Sequence, residues 1–168
     1  MHLPTNRAGL RRLALLLQKA PFLTHLLIRV FRLSRARFTA GVVGVVMNDE
    51  NEMLLVKHVF HPEPSWGLPG GWMERRERPE VALVRELKEE LGLEVTVEQP
   101  LVIETGYLYP SHLDVAYLCR AQGPVQHLSI ELLEYRWIAI EDVPPLFPFH
   151  RVAVEAAAQR IVDEVEQV

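Results

Sequence analysis

Residues 70–93 read GGWMERRERPEVALVRELKEELGL, and their spacing decides how the rest of the chain is read. Gly71, Glu77, Arg85, Glu86, Glu89, Glu90 and Gly92 follow the order G-x5-E-x7-R-E-U-x-E-E-x-G-U, with Leu87 and Leu93 at the two apolar positions U. On a helix turning about 100° per residue, Glu86, Glu89 and Glu90 share one face, because they stand at i, i+3 and i+4. Leu83, Val84, Leu87 and Leu91 gather on the other side as a core-facing stripe, and the small Ala82 lies under the acidic face. Three carboxylates on one face repel, at a cost of about 0.2–0.5 kcal/mol for each close pair. Hard divalent cations take oxygen ligands and would remove that penalty.

A lone E-x-x-E-E would more simply be a solvated amphipathic helix. The upstream loop changes that reading. Gly67, Gly70 and Gly71 surround Pro69 just before the helix, where backbone must approach something closely or turn sharply. Glu77 adds a carboxylate, and Arg85 sits beside the acidic arc. Pro79 suits the first helical position and Gly92 a left-handed C-terminal cap. Arg78, by contrast, is a poor N-cap, and Arg75, Arg76 and Arg78 make the loop basic, for surface pairing first and phosphate contact second.

With every position of the pattern filled, the chain resembles the Nudix hydrolases, which cleave nucleoside diphosphates linked to another moiety using divalent cations. The resemblance implies an α/β/α sandwich around a mixed sheet, Mg²⁺ or Mn²⁺ as cofactor, and a nucleotide as substrate. Carried over by position, it implies that Glu86, Glu89 and Glu90 bind metal with the carbonyl of Gly71. Glu86 would also activate or orient the water, and Arg85 and Glu77 would organise the cluster. The family draws one more carboxylate from a later loop. Glu131, six residues before Trp137, is the candidate and Glu134 the alternative; His112 and Asp114 could titrate nearby. The usual residue before the proline is Thr or Ser, so Arg78 is a departure.

Candidates to hold a base are Phe60, Trp66, Tyr107 and Tyr109, each equally suited to packing. ADP-ribose or another nucleotide sugar is the first substrate expectation, because compact members with a dimer-capable extension act on such compounds. A nucleoside triphosphate, oxidised ones included, comes second. A Nudix-fold regulator without catalysis is the third reading, and the full set of carboxylates argues against it.

The remaining sequence supplies the scaffold. At 168 residues the chain is of single-domain size. Cys119 is alone, which points to a reducing cytoplasm and excludes an intrachain disulfide; its apolar setting suits a core residue rather than a nucleophile. Residues 1–36 form a basic amphipathic helical extension, and residues 37–168 the hydrolase domain. Residues 1–48 carry eight Lys/Arg and no Asp or Glu, whereas all 22 acids follow. Leu10, Leu13, Leu17, Leu23, Leu27, Val30 and Leu33 recur at helical spacing, and Pro21 divides or kinks the segment. Packing on the domain or homodimerisation is the first expectation for this stripe, contact with an anionic membrane surface the second. No signal-peptide pattern fits, and no basic platform interleaved with aromatic residues supports nucleic-acid binding.

From Phe38 the pattern is β. FTAGVVGVVMN and EMLLVKHVF read as a hairpin turning at Asn48–Asn51, with Trp66–Leu68 continuing into the sheet. LEVTVEQ, VIETGYLY, LDVAYLC and YRWIAI read as further strands, Pro110–Ser111 and Asp142–Pro145 as turns, and Val152–Val165 as a closing helix.

Overall fold

The structure, a computed structural model, describes residues 15, 21–33, 35, 38–60, 65–106 and 111–166. The chain divides into two compact units, Met1–Arg37 and Phe38–Val168. In the first, helix α1 spans Pro21–Leu33, with Pro21 at its start, and the Arg35 guanidinium lies over the Phe31 ring at 3.9 Å. The stripe residues Leu10, Leu13 and Leu17 fall outside the described residues.

The second unit is built on a mixed seven-stranded sheet: β1 (Thr39–Met47), β2 (Met53–His58), β3 (Trp66–Gly67), β4 (Gly70–Trp72), β5 (Val95–Thr105), β6 (His112–Ala121) and β7 (Leu132–Ile138). The main path runs β3-β2-β1-β6-β5, while β4 pairs with β1 and β7 with β2. Among the described residues β1 and β6 run parallel, and the other strand pairs are antiparallel.

Helix α2 (Pro79–Leu91) covers one face and α3 (Pro148–Glu166) belongs to the other. Side chains of a strand alternate between faces. Thus Val42 and Val46 pack with Val115, Tyr117, Leu83, Leu87 and Leu91, while Val45 and Met47 pack with Ala116, Leu118, Ala153, Val154 and Ala157. With both faces covered, β1 reads as a nearly unbroken apolar run rather than an alternating one. Each fully buried Leu of α2 contributes roughly 1.5–3 kcal/mol. This is the α/β/α sandwich with a mixed sheet expected from the sequence.

Three local readings need correction. The glycine segment before α2 is partly strand: Gly70–Trp72 pairs with Gly41–Val43. Gly70 has φ +147°, and a Cβ there would fall 2.1 Å from the Val42 carbonyl oxygen, so only glycine closes this pair. LEVTVEQ and the start of VIETGYLY form one strand, β5, which runs through Pro100. Its register shifts on both sides of that proline, and β5 is the edge of the main path, where a missing N–H and an irregular ladder are tolerated. Finally, α3 begins at Pro148, four residues before the expected Val152.

Candidate active site

Helix α2 is held at both ends in a way that aims its acidic face. Pro79 opens it, and Arg78 provides no side-chain cap. At the other end Gly92 adopts φ 61°, with its N–H donating to the Lys88 carbonyl at 3.0 Å and the Leu93 N–H to the Leu87 carbonyl at 3.2 Å. The remaining C-terminal carbonyls receive the loop that follows β6. The Ser129 N–H donates to the Glu90 carbonyl at 2.8 Å, and the Gln126 and His127 N–H groups donate to that of Leu91. Val59 of the segment after β2 donates its N–H to the Glu131 carbonyl at 2.9 Å. Unsatisfied helix-end carbonyls thereby anchor the loop that carries Glu131.

Arg85 organises the carboxylates. Its Nε and Nη2 donate to the two oxygens of Glu77 at 2.9 and 3.0 Å, and Nη1 donates to Glu86 at 2.9 Å and to Glu89 at 3.3 Å. Nη2 also reaches the Trp72 carbonyl at 3.1 Å, tying β4 to α2. Glu77 in turn accepts from the Glu74 N–H at 2.8 Å. Arg85 and this N–H hold the Glu77 carboxyl below its usual range, and the same bonds keep Arg85 charged.

Glu86 and Glu90 behave differently. Burial pushes the Glu86 carboxyl above its usual range despite the bond from Arg85. Glu90 is 8% exposed, and its Oε2 is buried without a hydrogen-bond partner among the described residues. Burial first, then the charges of Glu86, Glu131 and Glu89, pushes its carboxyl up to about 8. Gly71 lies against Glu86: a Cβ there would fall 2.5 Å from the Glu86 carboxyl carbon.

A cavity of about 390 Å³ opens between these groups. Glu86, Glu90 and Glu131 line it with Gly71, and Trp72, His112, Asp114, His58 and His150 line it too. Of the residues named from sequence, Gly71, Glu86, Glu90, Glu131, His112 and Asp114 come together here. Glu89 points more to solvent, with a side chain 62% exposed and bonded to Arg85. Glu134 pairs with Arg136 at 2.7 Å. Trp66 packs in the second core cluster beneath the Arg136 guanidinium, and Phe60 is 77% exposed; neither lines the cavity. Tyr107 and Tyr109 lie outside the described residues.

His112, read from sequence as a turn residue, starts β6 and is buried, with Thr39 Oγ1 at 2.8 Å and Asp114 at 3.1 Å. Other lining residues, His150, His58 and Trp72 among them, escaped sequence reading. His150 accepts the Leu68 N–H at 3.1 Å from the far helix, His58 ends β2, and Trp72 looked like part of the loop. Only the topology brings them to one place. Cys119 is buried within the first core cluster, where burial pushes its thiol up to about 12, so it is no ready nucleophile.

The residues fit a hard divalent cation. A buried carboxylate oxygen lacks a partner, the surrounding donors are carboxylates, and glycine leaves room beside Glu86. Among the described residues no three such side chains already form a closed ligand set. Glu86 and Glu89 are held by Arg85, from which a cation would draw them. Among the described residues no helix is long and apolar enough to cross a membrane.

Comparison with known proteins agrees with this architecture. A "MutT-like protein" of Streptomyces ambofaciens is 28% identical over 131 residues, which cover 76% of this chain and 77% of that one. The human "8-oxo-dGDP phosphatase NUDT18" is 33% identical over 125 residues, 70% of this chain but only 38% of the human protein. The solved structure of an ADP-ribose pyrophosphatase from Streptococcus suis superposes with a TM-score of 0.58 at 25% identity, covering 71% of this chain and 91% of that one. The family model of the NUDIX domain matches residues 37–164, and the chain belongs to the Nudix hydrolases.

Proposed function

We propose that the chain hydrolyses a phosphoanhydride bond in a nucleoside diphosphate linked to another moiety, with Mg²⁺ or Mn²⁺ as cofactor. The observation that carries this reading is the buried, unpartnered oxygen of Glu90 beside Glu86 and Glu131 in one cavity. Glu86, Glu89, Glu90 and the Gly71 carbonyl would hold the cation. Bound there, it would neutralise phosphate charge and lower the pKa of a water. Arg85 keeps Glu86 and Glu89 oriented through its fork, while Glu77 holds Arg85. Glu131 shares the cavity with both buried carboxylates and is the candidate to accept the proton of the attacking water. No covalent intermediate on the protein is needed.

Two substrate classes suit this chemistry. ADP-ribose is supported by the likeness to the Streptococcus suis pyrophosphatase along most of that protein's length. A guanine nucleotide, oxidised or not, is supported by the human phosphatase, which has the highest identity of the three relatives but matches only over a minor part of its own length. A panel of both classes, assayed with Mg²⁺ and with Mn²⁺, tests the reading. AMP with ribose 5-phosphate marks the first class, and release of phosphate or pyrophosphate from guanine nucleotides marks the second. Tight binding with no product across the panel would leave a regulatory module instead.

We also propose the division into an extension, residues 1–36, and a hydrolase domain, residues 37–168. The extension then serves as a homodimer arm, supported by its apolar stripe and by its freedom from acids beside an acidic domain.

A further inference from the structure

Strand β4 supports the carboxylates but is itself weakly held. It is three residues long, and among the described residues its strand partner is β1 alone. Two contacts to the acidic helix nevertheless start from it. Gly71 lies against Glu86, and the Trp72 carbonyl accepts from Arg85 Nη2 at 3.1 Å. So short a strand with one neighbour is marginal by itself. Its end needs a further tie.

That tie comes from the opposite face of the sheet. Successive residues of a strand point to opposite faces, so Gly71 faces Glu86 and Trp72 faces away from it. Trp72 and Asp114 are both register partners of Gly41, and His112 is the partner of Thr39. These positions share the second face. At Gly41 the middle strand carries no side chain, and the His112 ring fills the space: a Cβ there would fall 3.0 Å from Nε2. The ring thereby reaches over β1 and meets the Trp72 ring, with centroids 4.7 Å apart and planes at 59°.

His112 is pinned in turn. It is buried, with Thr39 Oγ1 2.8 Å from Nδ1 and Asp114 Oδ1 3.1 Å from Nε2. A carboxylate only accepts, so Nε2 donates to Asp114, and the lone pair on Nδ1 of the neutral ring accepts the Thr39 hydroxyl. Both nitrogens are engaged, which fixes the plane of the ring and makes it a wall rather than a metal ligand. Trp72 is 62% exposed, so the contact with this wall matters to where its ring lies.

We propose that His112 is a positioning residue for the carboxylate cluster, acting through Trp72 and Arg85. The inference rests on the reading of Glu86, Glu89 and Glu90 as cation ligands. With the Trp72 ring braced, the carbonyl of the same residue holds Arg85 Nη2, and Nη1 of that guanidinium reaches Glu86 and Glu89. The guanidinium is a rigid planar fork, so moving the acceptor on one nitrogen turns the other. Without the brace the end of β4 drifts, Arg85 turns with it, and Glu86 and Glu89 no longer meet one cation together.

The test measures Mn²⁺ affinity of the full-length protein without nucleotide, and amide hydrogen exchange in EDTA. His112→Ala and Trp72→Ala should each weaken Mn²⁺ binding by about 10-fold, as loss of an indirect support does. The two together should cost hardly more, because both break one tie. Trp72→Phe keeps a ring against His112 and should restore affinity to within about 2-fold. In an Arg85→Lys background, where the fork is gone, His112→Ala should change affinity by less than about 2-fold. In EDTA the Met73 amide, bonded to the Ala40 carbonyl at 2.9 Å, should exchange about 10-fold faster in either alanine variant. Trp72 is exposed, so its variant decides the matter even where His112→Ala does not fold. Equal loss of affinity in both Arg85 backgrounds, the mark of a direct ligand, overturns the proposal, as does unchanged Met73 exchange. An unsubstituted protein that binds no Mn²⁺ would remove the cation reading, while faster Met73 exchange in the variants would still establish the tie.

Discussion

Arg85 and Glu77 meet as a two-toothed ion pair, Nε to Oε1 at 2.9 Å and Nη2 to Oε2 at 3.0 Å. The pair spends two of Arg85's nitrogens on Glu77 and leaves Nη1 for Glu86 and Glu89. Lysine keeps the charge but has no planar fork to make these contacts together. Arg85→Lys should therefore lower kcat/KM by about 10- to 100-fold, the usual effect of losing a group that orients ligands. Circular dichroism should stay native. Unchanged turnover in the lysine variant would remove Arg85 from the organising role.

Gly71 faces the carboxyl of Glu86 with no room for a methyl group, since a Cβ would sit 2.5 Å from the carboxyl carbon. Gly71→Ala must push Glu86 away or open the β4 pairing with β1. Overpacking of this kind costs roughly 1–3 kcal/mol, and the displaced carboxylate should also weaken Mn²⁺ binding. A melting curve and a manganese titration check both parts. A variant with native melting and native affinity would show that the helix yields freely at this point.

Glu90 makes the metal-free protein sensitive to pH. Its carboxyl is pushed up to about 8 in the fold against 4.5 in the free side chain. A raised folded value means that the stabilising contribution is complete below 4.5 and is lost as pH rises through 8. In EDTA, stability should fall between pH 5 and pH 8 by on the order of 2 kcal/mol. Glu90→Gln should flatten that fall and raise the melting temperature at pH 8 by about 5 °C, while abolishing turnover. The measurement is thermal melting across pH for both proteins. Parallel curves would mean that Glu90 is solvated in the apo protein.

The sequence made the helix and its charges legible because 3.6-residue periodicity is local. Glu86, Glu89, Glu90 and the caps Pro79 and Gly92 all lie within 14 residues, and the structure keeps them on one element. Glu131 could be nominated but not placed, since its position depends on a loop held by carbonyls of a distant helix end. How the other lining residues meet was harder still to read. Trp72, Gly41 and Asp114 meet only through strand register, and His150 arrives from the last helix. No spacing in one sequence encodes such pairings. An aromatic residue such as Trp66 or Phe60 likewise looks the same in sequence whether it sits in a core, under an arginine or at a cleft.

The extension separates from the hydrolase unit at Arg37 and Phe38. Deletion of residues 1–36 should leave a cooperatively melting domain with its turnover intact, because all of the cavity's lining residues lie after Phe38. If the segment is a homodimer arm, sedimentation should show the truncated protein at half the mass of the full chain. Loss of liposome flotation with unchanged mass would favour the membrane surface instead. Equal mass and equal flotation for both chains would mark the segment as dispensable for either role.

Cation dependence separates an enzyme from a binding module. Glu86 and Glu90 are both pushed up in the metal-free site, so each holds protons more tightly than a solvated carboxylate. A divalent cation takes the deprotonated ligand, and its binding must release those protons. Titration with Mn²⁺ at pH 7 in weak buffer should therefore acidify the solution, and Glu90→Gln should release fewer protons. EDTA should stop hydrolysis, and added Mg²⁺ or Mn²⁺ should restore it. Below the value of about 8 that holds for Glu90, apparent cation affinity should rise with pH, because fewer protons remain to be displaced. Hydrolysis that persists in EDTA, or cation binding that moves no protons, would sink the assignment of these two glutamates to the metal.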